Sequence, residues 1–544
     1  MKIAEKCQGL PLALETVGSL LQSKSSIAEW EGILRSNIWD LQIENSKIIP
    51  ALLLSYYHLP SHLKRCFAYC ALFPKDHKFE KESLILSWMA QNFLQCSQQS
   101  ESPEEIGEQY FNVLLSRSFF HQPILYNRTC FLMHDLLNDL AKYVSGEMCY
   151  RLGVDRPGSI PTTTRHFSMT KNLVEYDEYR ILCDAKRLRT FQAISMYGGM
   201  SIQELISNFK CLRLLSFPNC SNLKEEPDSI ADLIHLRSLD LSGTNIIRLP
   251  DSICSLYNLQ VLMLNDCILL KELPSTMHEL SNLRRLELMM TTLRKVPVLL
   301  GKLKNLQVWW GGFEVGKRSS EFSIQQIGEL DLHENLSISN LENIVDPCDG
   351  LTSDLKNKTH LVGLRLAWDL KRNNEDSIKE RELLENLQPS RHLEHLLITS
   401  YCGTQFPGCL SDKFLLNMVS LRLYNCKYCQ WLPSLGLLTF LKHLEIDGLE
   451  QIEKIDVDFY GNSFSAFASL ETLIFNDMKE WEEWQCITGA FPSLKALSVT
   501  DCPKLRGHLP EHLPHIRILS IDRCEQLVTL TPKAVEIEDG DIFI

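Results

Sequence analysis

His58, His62, Cys66 and Cys70 stand four residues apart. On one unbroken helix such groups would share a face and offer a zinc site. Pro60 falls between the two histidines and breaks the helix there, so the two cysteines read as core packing. Cys426 and Cys429 form one C-x-x-C without a second pair, and a structural zinc needs four ligands, so no metal is expected. Gly311–Arg318 (GGFEVGKR) matches G-x-x-x-x-G-K, yet Arg318 stands where a hydroxyl should hold magnesium, and no strand–loop–helix unit surrounds it. His134 is a different case. It sits in Met133-His134-Asp135, ahead of an apolar helix, where an imidazole can donate a hydrogen bond to a phosphate. Asp135 is placed to cap the same helix. No catalytic constellation emerges.

The elements that must hold these residues fall into three stretches. Residues 1–150 read as helical. Amphipathic patterns run through Leu10–Leu21 and Ile27–Trp39, and residues 46–58 form a third helix with Pro50 in its first turn. Ser61 is expected to cap a fourth helix, which puts Leu63, Cys66, Phe67, Cys70 and Ala71 on one face. Helices over 80–94 and 103–117 follow, then a strand pair (Phe119–Gln122 and Thr129–Met133) and the helix Asp135–Val144. Three helices followed by a hairpin suggest a winged helix. Residues 151–185, opening with a Pro/Gly/Thr-rich run, read as a transition.

From about residue 186 to 530 the chain repeats itself. Leu236, Leu239, Leu241 and Thr244 follow L-x-x-L-x-L-x-x-[NC], as do Leu259, Leu262, Leu264 and Cys267. Units start at 188, 212, 236, 259, 283 and 306, then near 333, 361 and 393, and resume at Met418, Leu441, Leu470, Leu494 and Ile516. Two leucines on one face of a short strand cannot be buried by one unit alone. Stacked units bury them together, as a parallel sheet on the inner wall of a curved solenoid. Cys220, Cys267, Cys426, Cys502 and Cys524 occupy the ninth position and read as buried ladder thiols. Leu-Pro pairs such as Leu249-Pro250 end the strand period.

Between the buried leucines lie residues aimed at solvent from the concave wall: Ser238 and Asp240, Val261 and Met263, Arg285 and Glu287, His395 and Leu397, His443 and Glu445, Thr472 and Ile474. Their chemistry changes from unit to unit, which suits recognition of a protein surface.

Composition narrows the class. The 544 residues carry 55 Lys and Arg against 68 Asp and Glu, a formal charge of −13, with 44% apolar residues. That is an ordinary globular, multidomain chain, and its acidic balance argues against a dedicated nucleic-acid binder. No apolar run is long enough to span a membrane. Nineteen cysteines without a secretory signal indicate a reduced compartment, the cytoplasm or the nucleus.

Gly9-Leu10-Pro11-Leu12 resembles the GLPL motif of plant nucleotide-binding leucine-rich-repeat (NB-ARC/LRR) disease resistance proteins. Cys66–Pro74 (CFAYCALFP) resembles a signature of their coiled-coil class, and Met133-His134-Asp135 resembles the MHD motif. GFEVGK (312–317) and LSISNLEN (336–343) are similar to their repeat region. The resemblance implies a multidomain α plus α/β solenoid: the end of the ARC1 helical subdomain over 1–45, a winged-helix ARC2 subdomain over 46–150, repeats over 186–530, and an acidic tail over 531–544. It implies an ADP half-site in which Pro11 and Leu12 line the adenine side and His134 reaches the β-phosphate, with Met133, His134 and Asp135 forming the switch. The family's P-loop and metal-binding acidic strand precede GLPL and are not matched. The expectation is therefore an N-terminally truncated receptor fragment that is not an enzyme. ADP or ATP belongs to the full-length family, and this chain alone is expected to bind neither. The resemblance further implies recognition of a pathogen effector or guarded host protein by the repeats, a hold between ARC2 and the repeats, and oligomers only at full length. Two other readings of the elements remain. One is a ubiquitin-ligase-like repeat scaffold. The other is a winged-helix DNA-binding protein, which is disfavoured because Glu80, Lys81, Glu82, Ser83, Ser87 and Gln91, the outward set of its recognition helix, do not seek phosphate.

Overall fold

A computed structural model describes residues 2–40, 50–95, 101–123, 130–152, 160–169, 185–194, 202–221, 223–224, 228–293, 296–318, 321–370, 376–410, 415–461, 466–510 and 512–527. The proposed acidic tail over 531–544 lies outside them. The chain forms two compact units, residues 1–293 and 294–544.

The first unit opens on the helices Pro11–Gln22 and Ile27–Leu34. Pro11 fits the first helical position because its missing N–H would have no partner there. Ser26 and Glu29 form a reciprocal capping box on the second helix. Next come Pro50–Tyr57 and Ser61–Tyr69. Ser61 is not the cap of the latter: the capping position is Pro60, which makes no side-chain bond. Lys81–Gln91, Pro103–Ser116 and Asp135–Ser145 complete the helical set. The β-element of the winged helix differs from the expected hairpin. Phe79–Glu80, which precedes the helix Lys81–Gln91, pairs antiparallel with Cys130–Phe131, and His121 bridges Leu132. One aromatic core binds these elements, with Phe67, Trp88, Phe111 and Phe119 fully buried. Phe111 stacks on Phe120 and meets Phe131 edge-on.

A parallel sheet fills the rest of the unit. Its strands Cys149–Leu152, His166–Met169, Thr190–Ala193, Leu214–Ser216, Ser238–Asp240, Val261–Met263 and Arg285–Glu287 pair in chain order. The sheet therefore starts well before residue 186. The first two strands lie in what read as the end of the winged helix and the transition, where Tyr150 and Phe167 stand in register with the leucine position of later units.

In the second unit, parallel strands Phe313–Glu314, Glu334–Ser339, Leu361–Ala367, His395–Thr399, Ser420–Tyr424, His443–Asp447, Thr472–Asn476, Ala496–Thr500 and Ile518–Asp522 follow one another in order. Leu396, Leu421, Leu444, Leu473 and Leu497 align in adjacent registers and are buried.

The turns after most strands share a feature that the leucine template does not show. Asn219, Gly243, Asp266 and Met290 in the first unit, and Asn340, Ser400, Asn425, Gly448, Asp477, Asp501 and Arg523 in the second, all have φ between 50° and 69°. Each occupies the eighth position of its repeat. A left-handed residue is needed there to turn the chain off the strand, which favours Asn, Asp and Gly. Gly243 has a second reason: a Cβ there would meet Asn219 Oδ1 at 2.3 Å. The ninth-position thiols behave as read. Cys267 donates to the Leu241 carbonyl at 3.2 Å, and burial raises the Cys426 and Cys502 thiols to about 12. Burial thus opposes their ionisation. Cys524, in the last described repeat, is only half-buried.

Candidate functional site

The inner walls of the two units meet different fates. In the first unit the wall is covered by the winged helix. The helix Lys81–Gln91 lies against the strands Leu214–Ser216 and Ser238–Asp240. Every residue from Leu84 to Gln91 is buried, including Ser87 and Gln91, which the DNA-binding reading had turned outward. Of the six wall residues expected to face a partner here, Ser238, Val261, Arg285 and Glu287 are buried, and Asp240 and Met263 are half-buried. Val261 joins the aromatic core of the winged helix, and Met263 packs against it. These strands carry the repeat's periodicity unchanged; what covers them comes from far away in the chain.

Polar contacts fix this arrangement. The Phe73 carbonyl, at the end of the CFAYCALFP stretch, accepts from Arg151 Nη1 at 2.9 Å and from Asn138 Nδ2 at 3.0 Å. The same Nη1 also reaches Asn138 Oδ1 at 2.9 Å. Ser168 Oγ donates to the Leu72 carbonyl. Where the helix Lys81–Gln91 ends, Asn92 adopts the left-handed conformation. Arg213 Nη1 there donates to the Gln91 carbonyl at 3.0 Å, and Arg237 Nη1 to Asn92 Oδ1 at 3.2 Å. Guanidinium groups at a helix C-terminus complement its partial negative charge. At the far side Arg284 grips Glu104 through two bonds of 2.8 Å, and Arg285 meets Glu82 at 2.6 Å. Of these residues, Arg285, Glu82 and Gln91 read from the sequence as facing solvent, and Arg151, Asn138, Arg213, Arg237, Arg284 and Glu104 were not singled out. The available signal was the identical spacing of Arg165, Arg189, Arg213 and Arg237, each 24 residues after the last.

His166 lies beneath this row. Burial, with Arg189, Arg165 and Arg213 nearby, lowers its pKa to about 3. Its Nδ1 lies 3.0 Å from Thr190 Oγ1, and its ring meets Tyr69 edge-on.

His134 is exposed and is itself the helix cap: its Nδ1 accepts from the Leu136 N–H at 3.1 Å. Asp135, expected in that role, instead lies 3.8 Å from Lys75 Nζ. Capping through Nδ1 leaves the ring proton on Nε2, which faces away from the backbone it caps. Met133 is buried in the aromatic core, and Leu12, half-buried, packs against that core. Pro11 is exposed at the start of its helix.

In the second unit His395 and His443 are exposed, and Leu397, Glu445, Thr472 and Ile474 are half-buried. The register sets His395 beside Ser420 and Ser420 beside His443, with Arg422 beside Glu445 at 3.4 Å. The wall of this unit thus presents imidazole, guanidinium, carboxylate and aliphatic groups together. Gly311–Arg318 forms no phosphate cradle. Phe313–Glu314 is a strand, and the Lys317 N–H donates to Glu321. Among the described residues no helix is long and apolar enough to cross a membrane, and no group of three or more His, Cys, Asp or Glu is placed to hold a metal.

Comparison with known proteins agrees with this architecture. Residues 72–141 match the family described as disease resistance protein winged helix domain, and residues 324–449 match the R13L1/DRL21 leucine-rich repeats. The disease resistance RPP13-like protein 1 of Arabidopsis thaliana is 43% identical over 96% of this chain and 52% of its own length. The disease resistance proteins RGA1 and RGA2 of Solanum bulbocastanum are 36% and 32% identical, over 92% and 97% of this chain and 48% and 55% of theirs. The chain spans about half the length of these relatives. Similar to these relatives along nearly all of its length, and carrying a disease-resistance winged helix followed by leucine-rich repeats, the chain belongs to the plant disease resistance proteins.

Proposed function

We propose that this chain carries the sensing and restraining parts of a cytoplasmic plant immune receptor. The second unit's wall recognises a pathogen effector or a guarded host protein, and the first unit's wall holds the winged helix at rest. One contrast carries the reading. The wall residues from Ser238 to Glu287 are covered by the chain's own winged helix, whereas those from His395 to Ile474 remain accessible. A covered wall restrains, and an accessible one of mixed chemistry recognises. The covering of Lys81–Gln91 also speaks against DNA recognition by that helix.

The nucleotide part of the reading rests on His134. Its Nε2–H is free of the cap and can donate to a phosphate oxygen, while Pro11 and Leu12 offer apolar surface for a base. These residues fit one end of ADP. They lack the run of backbone amides and the lysine from which phosphate affinity chiefly comes. The chain by itself therefore binds ADP weakly and does not hydrolyse ATP. Titration calorimetry tests this directly: micromolar ADP binding by the purified chain would overturn it. For recognition, the test is co-purification of a candidate effector with the chain carrying Arg422→Glu or His443→Glu. Loss of capture by these variants, with capture intact when Arg248 (on the first unit) is changed, is the expected result.

A further inference from the structure

Between the winged helix and the sheet of the first unit lies a cavity of about 330 Å3, large enough for a small organic ligand. Its lining is mixed. Phe79 and Leu84 of the winged helix, with Leu214 and Met263 of the sheet, supply apolar surface; Gln192, Ser216, Ser238 and Asp240 supply polar groups from the sheet. The polar part is rich in acceptors. Asp240 Oδ2 takes a bond from Ser216 Oγ at 2.9 Å and Oδ1 one from the Ser242 N–H at 3.1 Å. Gln192 Oε1 is buried and has no hydrogen-bond partner among the described residues. The charged groups lining the cavity are Asp240, Glu80 and Lys78, and Lys78 and Glu80 are exposed at its rim. His77 also lines it and is held neutral at ordinary pH, since burial lowers its pKa to about 4.

We propose that this cavity is a binding site for a small aromatic or aliphatic amine, whose ammonium group donates to Asp240 and Gln192 while its apolar part packs against Phe79, Leu84 and Met263. A carboxylate whose ionisation is opposed by burial, as that of Asp240 is, and an amide oxygen left unpaired both gain from a cationic donor. An anion would be repelled by the Asp240 carboxylate, and a neutral alcohol would satisfy one acceptor without matching the charge. Because the ligand touches both the winged helix and the sheet, its binding would tie the two together. The site involves neither the nucleotide nor the second unit's wall, so it stands or falls independently of the receptor reading.

The test is titration of the whole chain with 2-phenylethylamine, 2-phenylethanol and 3-phenylpropionate, followed by calorimetry and ligand-observed NMR. The amine should bind saturably, about tenfold more tightly than either analogue, the ratio that one charge-assisted bond provides. Asp240→Asn should lower amine affinity about tenfold by the same measure, and Gln192→Leu about threefold. Gln192→Leu also removes the unpaired acceptor, so it keeps the test informative if Asp240→Asn fails to fold. The proposal is overturned if the amine shows no binding at millimolar concentration, if the propionate binds as tightly as the amine, or if Gln192→Leu and Asp240→Asn both bind the amine like the parent chain.

Discussion

Reversing Arg284 to Glu should loosen the winged helix from its sheet by a measurable and reversible amount. Arg284 and Glu104 are 180 residues apart and joined by two bonds of 2.8 Å, with side chains 18% and 35% exposed. Fully exposed pairs contribute ~0.2–1 kcal/mol, and truncating one partner of a buried pair costs ~3–5 kcal/mol. A bidentate pair at intermediate exposure belongs between these limits, at about 1–2 kcal/mol, or roughly 5–30-fold in the equilibrium between held and released forms. Reversal adds repulsion between two carboxylates and places the effect at the upper end. Arg285–Glu82 remains, so release is partial rather than complete. Amide hydrogen exchange over Leu86–Ala90, buried beneath the sheet, reads the released fraction directly. Exchange there should speed up roughly 10–30-fold in Arg284→Glu and return to within about threefold of the parent in the double variant Glu104→Arg/Arg284→Glu, since that swap restores the pair. Lys210→Glu is the control, because its partner Asp232 is 58% exposed and the Lys210 side chain 49%. Less than a twofold change in Arg284→Glu, or a swapped variant as open as the single reversal, would refute the claim that this pair helps to hold the winged helix.

Three further outcomes follow from the geometry. Gly243→Ala should destabilise the first unit by about 2 kcal/mol or more in chemical denaturation, since it combines a left-handed backbone with a collision at Asn219; Gly18→Ala, in open space on the helix Pro11–Gln22, should instead stabilise it by about 0.5–1 kcal/mol. His166 has a folded pKa of about 3, below its unfolded value. The unfolded chain therefore takes up a proton that the folded one refuses, and stability falls as pH drops from about 6.5 toward 3, by about 2 kcal/mol at pH 5. His166→Gln should flatten that slope in urea melts run at several pH values, and an unchanged slope would sink the assignment. Arg422→Glu, on the accessible wall, should change stability by less than about 0.5 kcal/mol; a larger loss in thermal melts would mark that residue as structural.

The repeats were legible because their signal is local and redundant. Leucines two apart, at a period near 24, place most strands from Thr190 onward within a residue or two; Phe313–Glu314, Lys454–Ile455 and Glu483–Trp484 match no unit. Strands Cys149–Leu152 and His166–Met169 were missed for a physical reason. Aromatic Tyr150 and Phe167 stand where later units carry leucine, so the template does not match, while Arg151 and Ser168, in register with the wall residues Gln192 and Ser216, reach the Phe73 and Leu72 carbonyls. The left-handed eighth position was readable in retrospect from Asn219, Asp266, Asn425 and Asp477, but Met290 and Arg523 obscure it. The helix cap illustrates a limit of residue preference. Asp is the better capper in general, yet the chain enters the helix with His134 extended and Asp135 already inside it. The resemblance implied a hold between ARC2 and the repeats, but which wall residues it covers was not legible, because nothing in Leu-x-x-Leu-x-Leu reports what lies above the strand. The two halves of the nucleotide motif fared unevenly: Pro11 was placed at a helix start, as proline's fixed φ favours, while the contact expected of His134 with a phosphate involves a partner the sequence cannot show.

The grip on the end of the helix Lys81–Gln91 is supplied by neighbouring coils, Arg213 from one and Arg237 from the next. Each arginine directly precedes its strand, and the two strands pair in register, so the register, and not the length of chain between them, spaces the two guanidinium groups. A residue inserted on the convex side would leave both in place. A one-residue slip of the strand Ser238–Asp240 would instead carry the second arginine away from Asn92. The register of this stretch is therefore constrained by a neighbour outside the solenoid, a restriction that an accessible wall does not impose.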